Sequence, residues 1–336
     1  MEGLCALCEK HAELQLSHII PKFIARWIKK TGATGYLRNV ENERVQDGIK
    51  EPLLCSDCEQ QFSRYENYFA KNFFRPLTKY VKFPKQTIPY DENLVKFILS
   101  ISWRVLYGEI RDIKQSGEEL NPNLEETLDS WKKFFMGQNQ FDNPGVMILE
   151  EPSETIVYKP PKTIPNTHYI IPSYLLEDIP GRFYYKHFRE YITRAADATL
   201  ASDPEKTTQF IFIQLPRFSI VSTINPFVLA GIRSAIITDK GEFHTRFPLG
   251  NIDYLVNLVN SRVEAIFHLP LPLSEVEKIK KIISENPERA KESDTFKIKR
   301  KNQVLKKRVK KATKKGNRTW GSKKLHRNRK NTFSIG

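Results

Sequence analysis

Apolar positions recur with two different periods along this chain, and the switches between them mark its elements. Glu13-Leu14-Gln15-Leu16 alternates polar and apolar, which predicts a short strand ending at Ser17-His18. From Pro21 to Lys30 the period lengthens. Ile20, Phe23, Ile24, Trp27 and Ile28 fall on one helical face, with Lys22, Arg26, Lys29 and Lys30 elsewhere. Thr31-Gly32-Ala33-Thr34-Gly35 breaks that helix. Tyr36 to Asp47 is polar, with Asn39, Asn42 and an Asp47-Gly48 turn, and reads as a hairpin or an ordered loop. After the apolar pair Leu53-Leu54, a helix is expected from Asp57 to about Arg75. Its face carries Phe62, Phe69 and Phe73, and Pro76 ends it.

Residues 76–90 hold Pro76, Pro84 and Pro89 and read as a connector. The next helix spans about Asp91 to Gln115, with Leu94, Phe97, Ile98, Ile101 and Val105 as its stripe. Trp103 and Leu106 widen that stripe, as a buried helix requires. Asn121-Pro122, an N-cap followed by Pro at the first helical position, starts a second helix ending near Gly137, so the two make a helical hairpin. The pattern then turns to strands: Val146 to Leu149, Thr155 to Tyr158, His168 to Ile171, Phe210 to Ile213, Phe218 to Ile224 and Ala235 to Thr238. Asp239-Lys240-Gly241 predicts a hairpin turn from the last of these to Glu242–Thr245. One helix, about Phe183 to Leu200, interrupts the strands. Helices at Ile252 to Phe267 and Ser274 to about Ser284 follow, the second opening with a Ser274/Glu277 capping box. No internal repeat is present. The fold class expected is α+β.

Composition sharpens this picture in one respect, the placement of charge. At 336 residues, 40% hydrophobic and 11% aromatic, the chain can bury a real core. Seventeen Lys and Arg and no Asp or Glu lie between Lys297 and Lys330, so against a total of +15 the rest carries −2. Three segments are expected: residues 1–75, a body over 76–290, and a basic tail over 291–336. From Lys297 onward the tail is too poor in apolar residues to offset the cost of ordering, so disorder, or helix only on binding, is expected there. Met1-Glu2-Gly3-Leu4 has no basic region followed by an apolar run, and no apolar stretch approaches the roughly 20 residues of a membrane span. A soluble, cytoplasmic protein with reduced thiols is the expectation.

Those thiols are the candidate chemistry. All four cysteines sit in two C-x-x-C pairs, Cys5/Cys8 and Cys55/Cys58. Two such pairs brought together make a tetrahedral sulfur site suited to structural Zn²⁺, in preference to two disulfides or four unrelated thiols. His11 offers a further nitrogen at Cys5-x2-Cys8-x2-His11, although four thiolates already complete a site. Knuckle, strand, loop, strand, knuckle and helix is the treble-clef order. A unit of that size lacks a core of its own, so the metal is expected to clamp its ends.

Ser17-His18-Ile19-Ile20-Pro21, followed by Leu53-Leu54-Cys55-Ser56-Asp57-Cys58-Glu59, resembles the HNH endonucleases of the ββα-metal class over residues 1 to about 70. In that family a His ending the first strand is the general base on water. A His after the second C-x-x-C helps hold a divalent cation, and an Asn precedes or lies in the second strand. The resemblance implies a zinc-stabilised ββα module in which His18 is catalytic and Glu59, standing where the family has His, meets a Mg²⁺ or Mn²⁺ ion. Carboxylate oxygen is a suitable ligand for such a hard cation. Ser17 stands where many members have a metal-binding Asp. Lys50-Glu51-Pro52 stands where the Asn is expected, so Asn39 or Asn42 substitutes only if the loop folds back. Glu66, seven residues after Glu59, lies two helical turns or roughly 10.5 Å away and reads as part of a solvated face.

The function implied is metal-dependent hydrolysis of nucleic-acid phosphodiesters, DNA ahead of RNA. The alternative is a zinc module that grips nucleic acid or a protein partner without cutting, as a component of a defence system or mobile element. The tail fits both, because Lys/Arg clusters bind phosphate backbones by counterion release and Trp320 can stack on an unpaired base. It has no apolar face opposite the charge, so a membrane surface is not its expected target. The body, residues 76–290, carries no phosphate loop or nucleophile elbow, and its expected roles are substrate positioning, homodimerisation or partner sensing.

Overall fold

The helix with the stripe Leu94, Phe97, Ile98, Ile101 and Val105 is the hub of the molecule. The computed structural model describes residues 1–39, 43–80, 82–138, 166–177, 187–202, 209–224, 229, 231–267, 270–298 and 300. The first 80 residues comprise β1 (Glu2–Leu4), β2 (His11–His18), α1 (Lys22–Thr31), β3 (Leu37–Arg38), β4 (Arg44–Val45), β5 (Lys50–Cys55), α2 (Ser56–Phe69) and α3 (Arg75–Leu77). Then come β6 (Thr87–Tyr90), α4 (Glu92–Ser116), α5 (Pro122–Phe135), β7 (His168–Pro172), α6 (Phe188–Arg194), β8 (Asp197–Ser202), β9 (Gln209–Leu215) and β10 (Phe218–Thr223). β11 (Ile236–Ile237), β12 (Gly241–His244), α7 (Asp253–Phe267), α8 (Leu273–Glu285) and α9 (Pro287–Glu292) complete the order.

α4 is capped at both ends. Asp91 accepts from the Asn93 amide at 2.9 Å, and Gly117 leaves the helix at φ +76°. Every residue from Phe97 to Leu106 is buried, because α2 and α5 pack on part of its surface and a sheet on the rest. That sheet has the order β11-β7-β10-β9-β8, antiparallel throughout. The two-residue period of its strands divides two cores. Ile170, Ile211, Ile213 and Ile220 face α4, while Tyr169, Ile171, Phe210, Phe212 and Val221 face α6 and α7. The α4-side core is continuous with the N-terminal module, from Cys5, Leu7, Leu53 and Leu54 through Phe62 to Phe97. Phe69 stacks on Phe97 with centroids 4.0 Å apart and meets Phe218 edge-on at 5.3 Å.

The helical hairpin and the strands at β7, β9 and β10 agree with the hydrophobic pattern, including the Asn121 cap, whose Oδ1 accepts from the Asn123 amide at 3.0 Å. Several elements differ. The helix after Cys55 does not stop at Pro76. A π-helical turn over Ala70–Phe74 carries it into α3, which ends at Leu77, one residue past Pro76. The connector 76–90 contains β6, which pairs with β12. β12 therefore forms no hairpin with Ala235–Thr238, whose β11 pairs with β7 instead. The expected helix Phe183–Leu200 is α6 followed by β8. Asp197–Ser202 pairs with β9 along its full length, and sheet pairing overrides the helical preference of Ala198, Leu200 and Ala201. α8 starts after Pro272, whose carbonyl accepts the Glu275 and Val276 amides, so the Ser274/Glu277 box does not form. Residues 294–298, placed by composition in the tail, are helical. Ile298 is buried and Asp294 pairs with the buried Arg217 at 2.5 Å. The strands expected at Val146–Leu149 and Thr155–Tyr158, and the tail beyond Arg300, lie outside the described residues.

Candidate functional site

The first C-x-x-C closes a tight turn between β1 and β2. The Glu9 amide donates to the Cys5 carbonyl at 2.9 Å, and Glu9 takes the left-handed φ of +58° that reverses the chain. The second pair spans the end of β5 and the first turn of α2. A β-bulge joins the two halves. Gln15 pairs with Leu54 and Leu16 with Pro52, so Leu53 is left over and its carbonyl accepts the Ala6 amide at 3.0 Å. The bulge also breaks the alternation expected of Leu14 and Leu16. Gln15 and Leu16 are both exposed, Leu53 and Leu54 are both buried, and Ser17 turns inward.

All four cysteines are free thiols, and their sulfurs lie within 4.8 Å of one another. Cys8 and Cys55 are 3.7 Å apart at sulfur, against an edge of roughly 3.8 Å for a tetrahedron with Zn–S bonds of about 2.3 Å. The donor set therefore fits a tetrahedral thiolate-binding metal such as zinc. Burial pushes the Cys8 and Cys58 thiols up. Burial also acts on Cys5, but amides of Cys8, Cys55 and Leu7 outweigh it and bring that thiol down to about 7. His11 is not part of the cluster; it is exposed and lies 3.8 Å from Glu2.

His18 ends β2 opposite Lys50, its side chain 12% exposed. Its Nε2 lies 3.1 Å from Oδ2 of Asp47, the residue that the sequence identifies only as a turn former. Burial would raise the Asp47 carboxyl, but the His18 and Gly48 hydrogen bonds and the Lys50 ammonium at 3.5 Å hold it down at about 2. Nδ1 of His18 has no partner among the described residues. The Glu59 carboxylate, on the first turn of α2, accepts through Oε2 from Ser17 Oγ at 2.6 Å. Its Oε1 has no partner among the described residues. Thus Ser17, not His18, is the residue that touches Glu59, and consecutive residues of β2 address the helix and the Asp47 turn.

A third residue ties these together. Arg104 of α4, with no exposed surface, donates to the His18 carbonyl and, at 2.6 Å, to Glu66 Oε1. Its guanidinium also lies 5.3 Å from the Phe62 ring centroid. Glu66 is therefore the counter-ion of a buried arginine and not part of a solvated face. Asn39 closes the β3–β4 hairpin against Glu43, accepting its amide at 2.8 Å, and Asn42 lies outside the described residues. The Asp47-Gly48 turn was legible, its pairing with His18 was not. Arg104 carried no signal, since its partners are 38 and 86 residues away in sequence.

Among the described residues no helix is long and apolar enough to cross a membrane. Comparison with family models, with curated proteins and with solved structures finds no match for this chain.

Proposed function

We propose that the chain is an HNH-type endonuclease that hydrolyses phosphodiester bonds of nucleic acid, DNA in the first place. Cys5, Cys8, Cys55 and Cys58 hold a structural Zn²⁺ that fixes β2 against α2. His18 accepts the proton of the attacking water, and Glu59 offers Oε1 to a Mg²⁺ or Mn²⁺ ion. Such an ion, when bound, offsets the charge that builds on the scissile phosphate. The observation that carries this reading is the His18–Asp47 pair. A carboxylate at Nε2 favours the tautomer with its proton there, which leaves Nδ1 as the acceptor a general base needs.

The second reading is a zinc module that grips nucleic acid or a protein partner without cutting. One observation favours it. Ser17, fully buried, occupies Oε2 of Glu59 and leaves that carboxylate a single open oxygen for a cation. Incubating the full chain with supercoiled plasmid and with single-stranded RNA, in Mg²⁺ or Mn²⁺, separates the two. The nuclease nicks or cuts one of these substrates, and His18→Ala slows it by about 10²–10⁴ with zinc content unchanged. No cleavage of either substrate leaves the binding module as the function, and full rate from His18→Ala removes His18 as the general base.

A further inference from the structure

A cavity of about 430 Å³ opens beside the candidate site, between the end of α1, the β3–β4 hairpin and α9. Lys29, Lys30, Tyr36, Arg44, Gln46 and Arg289 line it. Four of those six residues are cationic and none is acidic. Among the described residues, no carboxylate pairs with Lys29, Lys30 or Arg289. Arg44 reaches only Glu275, at 3.7 Å. Like charges crowded into a concave surface repel one another, so an arrangement of this kind is best explained by an anionic occupant.

Three of the four cations are held in place by the fold. Lys29 Nζ donates to the Gln46 carbonyl at 2.8 Å, and Arg289 Nη2 donates to the Lys29 carbonyl at 3.1 Å. The Arg44 guanidinium lies 3.9 Å from the centroid of the Tyr36 ring. Gly35, at φ +78°, lets Arg289 pass where any Cβ would collide with its guanidinium. Two relationships give the cavity a direction. Gln46, on its wall, directly precedes Asp47, which holds His18. Arg289, which also lines it, comes eight residues before the start of the segment Lys297–Lys330 with its 17 basic residues.

We propose that this cavity seats a backbone phosphate of a nucleic-acid strand, next to the phosphodiester presented to His18. The exposed Lys30, Arg44 and Arg289 and the half-buried Lys29 supply the charge. The proposal rests on reading the chain as a nucleic-acid protein, and does not require that His18 be catalytic. A phosphate bound by several cations is the contact expected to position a strand without reading its sequence.

Fluorescence anisotropy of a labelled 12-nucleotide duplex, across a salt series with the full chain, tests it. Lys30→Glu and Arg44→Gln weaken binding by about tenfold and reduce the log–log salt slope by about 1. Lys133→Glu, an exposed cation of α5, changes neither. Unchanged affinity and slope in the two cavity variants, in a protein that still binds the duplex, overturn the proposal and leave the nuclease reading standing. The same is true if Lys133→Glu matches them, because the effect is then one of general charge. Competition by micromolar inorganic pyrophosphate, lost in Lys30→Glu, makes the cavity a site for free phosphates and overturns the strand assignment. If no nucleic acid is cut while the cavity variants still lose affinity, the nuclease reading falls and the cavity stands.

Discussion

Ser17 Oγ donates to Glu59 Oε2 over 2.6 Å, so the two positions at which this chain departs most clearly from the HNH pattern are in contact with each other. A serine at position 17 brings no charge to the proposed cation site, but it does fix the Glu59 carboxylate. Hydrogen-bonded partners of this kind orient metal ligands and set their affinity.

Ser17→Ala therefore weakens Mg²⁺ or Mn²⁺ binding by about 10–100-fold if Glu59 is a ligand. The hydroxyl is lost from a buried position without a gain in volume, so the fold is expected to hold. Calorimetric titration with Mn²⁺, run beside Glu59→Gln as the full loss of the ligand, reads the effect directly. Equal Mn²⁺ affinity in wild type, Ser17→Ala and Glu59→Gln removes Glu59 from the proposed mechanism.

Zinc removal is expected to loosen one end of the molecule and leave the rest folded. Leu7, Leu53 and Leu54 belong to the same apolar cluster as α4, so the module has support beyond its metal. β1 has little else to hold it: Leu4 is 60% exposed, and among the described residues β1 pairs with β2 alone. The purified chain should contain one zinc, and Cys55→Ser should lose it. Hydrogen exchange should then rise over residues 1–16 while the α4 amides stay protected. A zinc content far below one in the wild type, or a Cys55→Ser variant with unchanged exchange, refutes the four-thiolate site.

The elements that were legible in the sequence are those whose hydrophobic pattern agrees with their final neighbours. α4 is apolar enough to be read as buried, α5 announces itself with Asn121-Pro122, and the two C-x-x-C pairs specify their own proximity. What was not legible depends on distant partners. β8 has the composition of a helix and becomes a strand because β9 offers it an edge. The bulge at Leu53 accompanies the inward turn of Ser17, and a period of two carries no record of a one-residue slip. Asp47 reads as a turn residue, because nothing local marks it as the partner of a histidine 29 residues earlier.

Arg104 and Glu66 allow a test of how firmly His18 is held. An arginine without exposed surface is costly to leave unpaired, and breaking a buried pair from one side usually destabilises by about 3–5 kcal/mol. Glu66→Ala should fall near the lower end of that range, since Glu66 retains 17% exposure and water can reach the gap. Arg104→Met with Glu66→Ala removes both charges and should recover part of the loss. Urea denaturation of the two single variants and the double variant measures the coupling. Strict additivity shows that the pair is not coupled and that Arg104 serves the His18 carbonyl alone.

Asp47 makes the last prediction, because its carboxyl is held at about 2 against an ordinary value of 3.8. A depressed carboxyl binds its proton less readily in the folded state than in the unfolded one. Its contribution to stability is therefore complete above pH 4 and fades as the pH falls from about 4 toward 2. Asp47→Asn should flatten the stability profile of the protein in that window, measured as the urea midpoint at each pH. The same substitution should act on catalysis at neutral pH for a different reason. An asparagine amide can donate to Nε2, which forces the imidazole proton onto Nδ1 and removes the acceptor. Asp47→Asn should then lower the cleavage rate by about 10²-fold or more, within the range expected for loss of a general base. Retention of wild-type rate by Asp47→Asn, alongside a flattened acid profile, means that the pair stabilises the β4–β5 turn and does not prepare His18 for proton transfer.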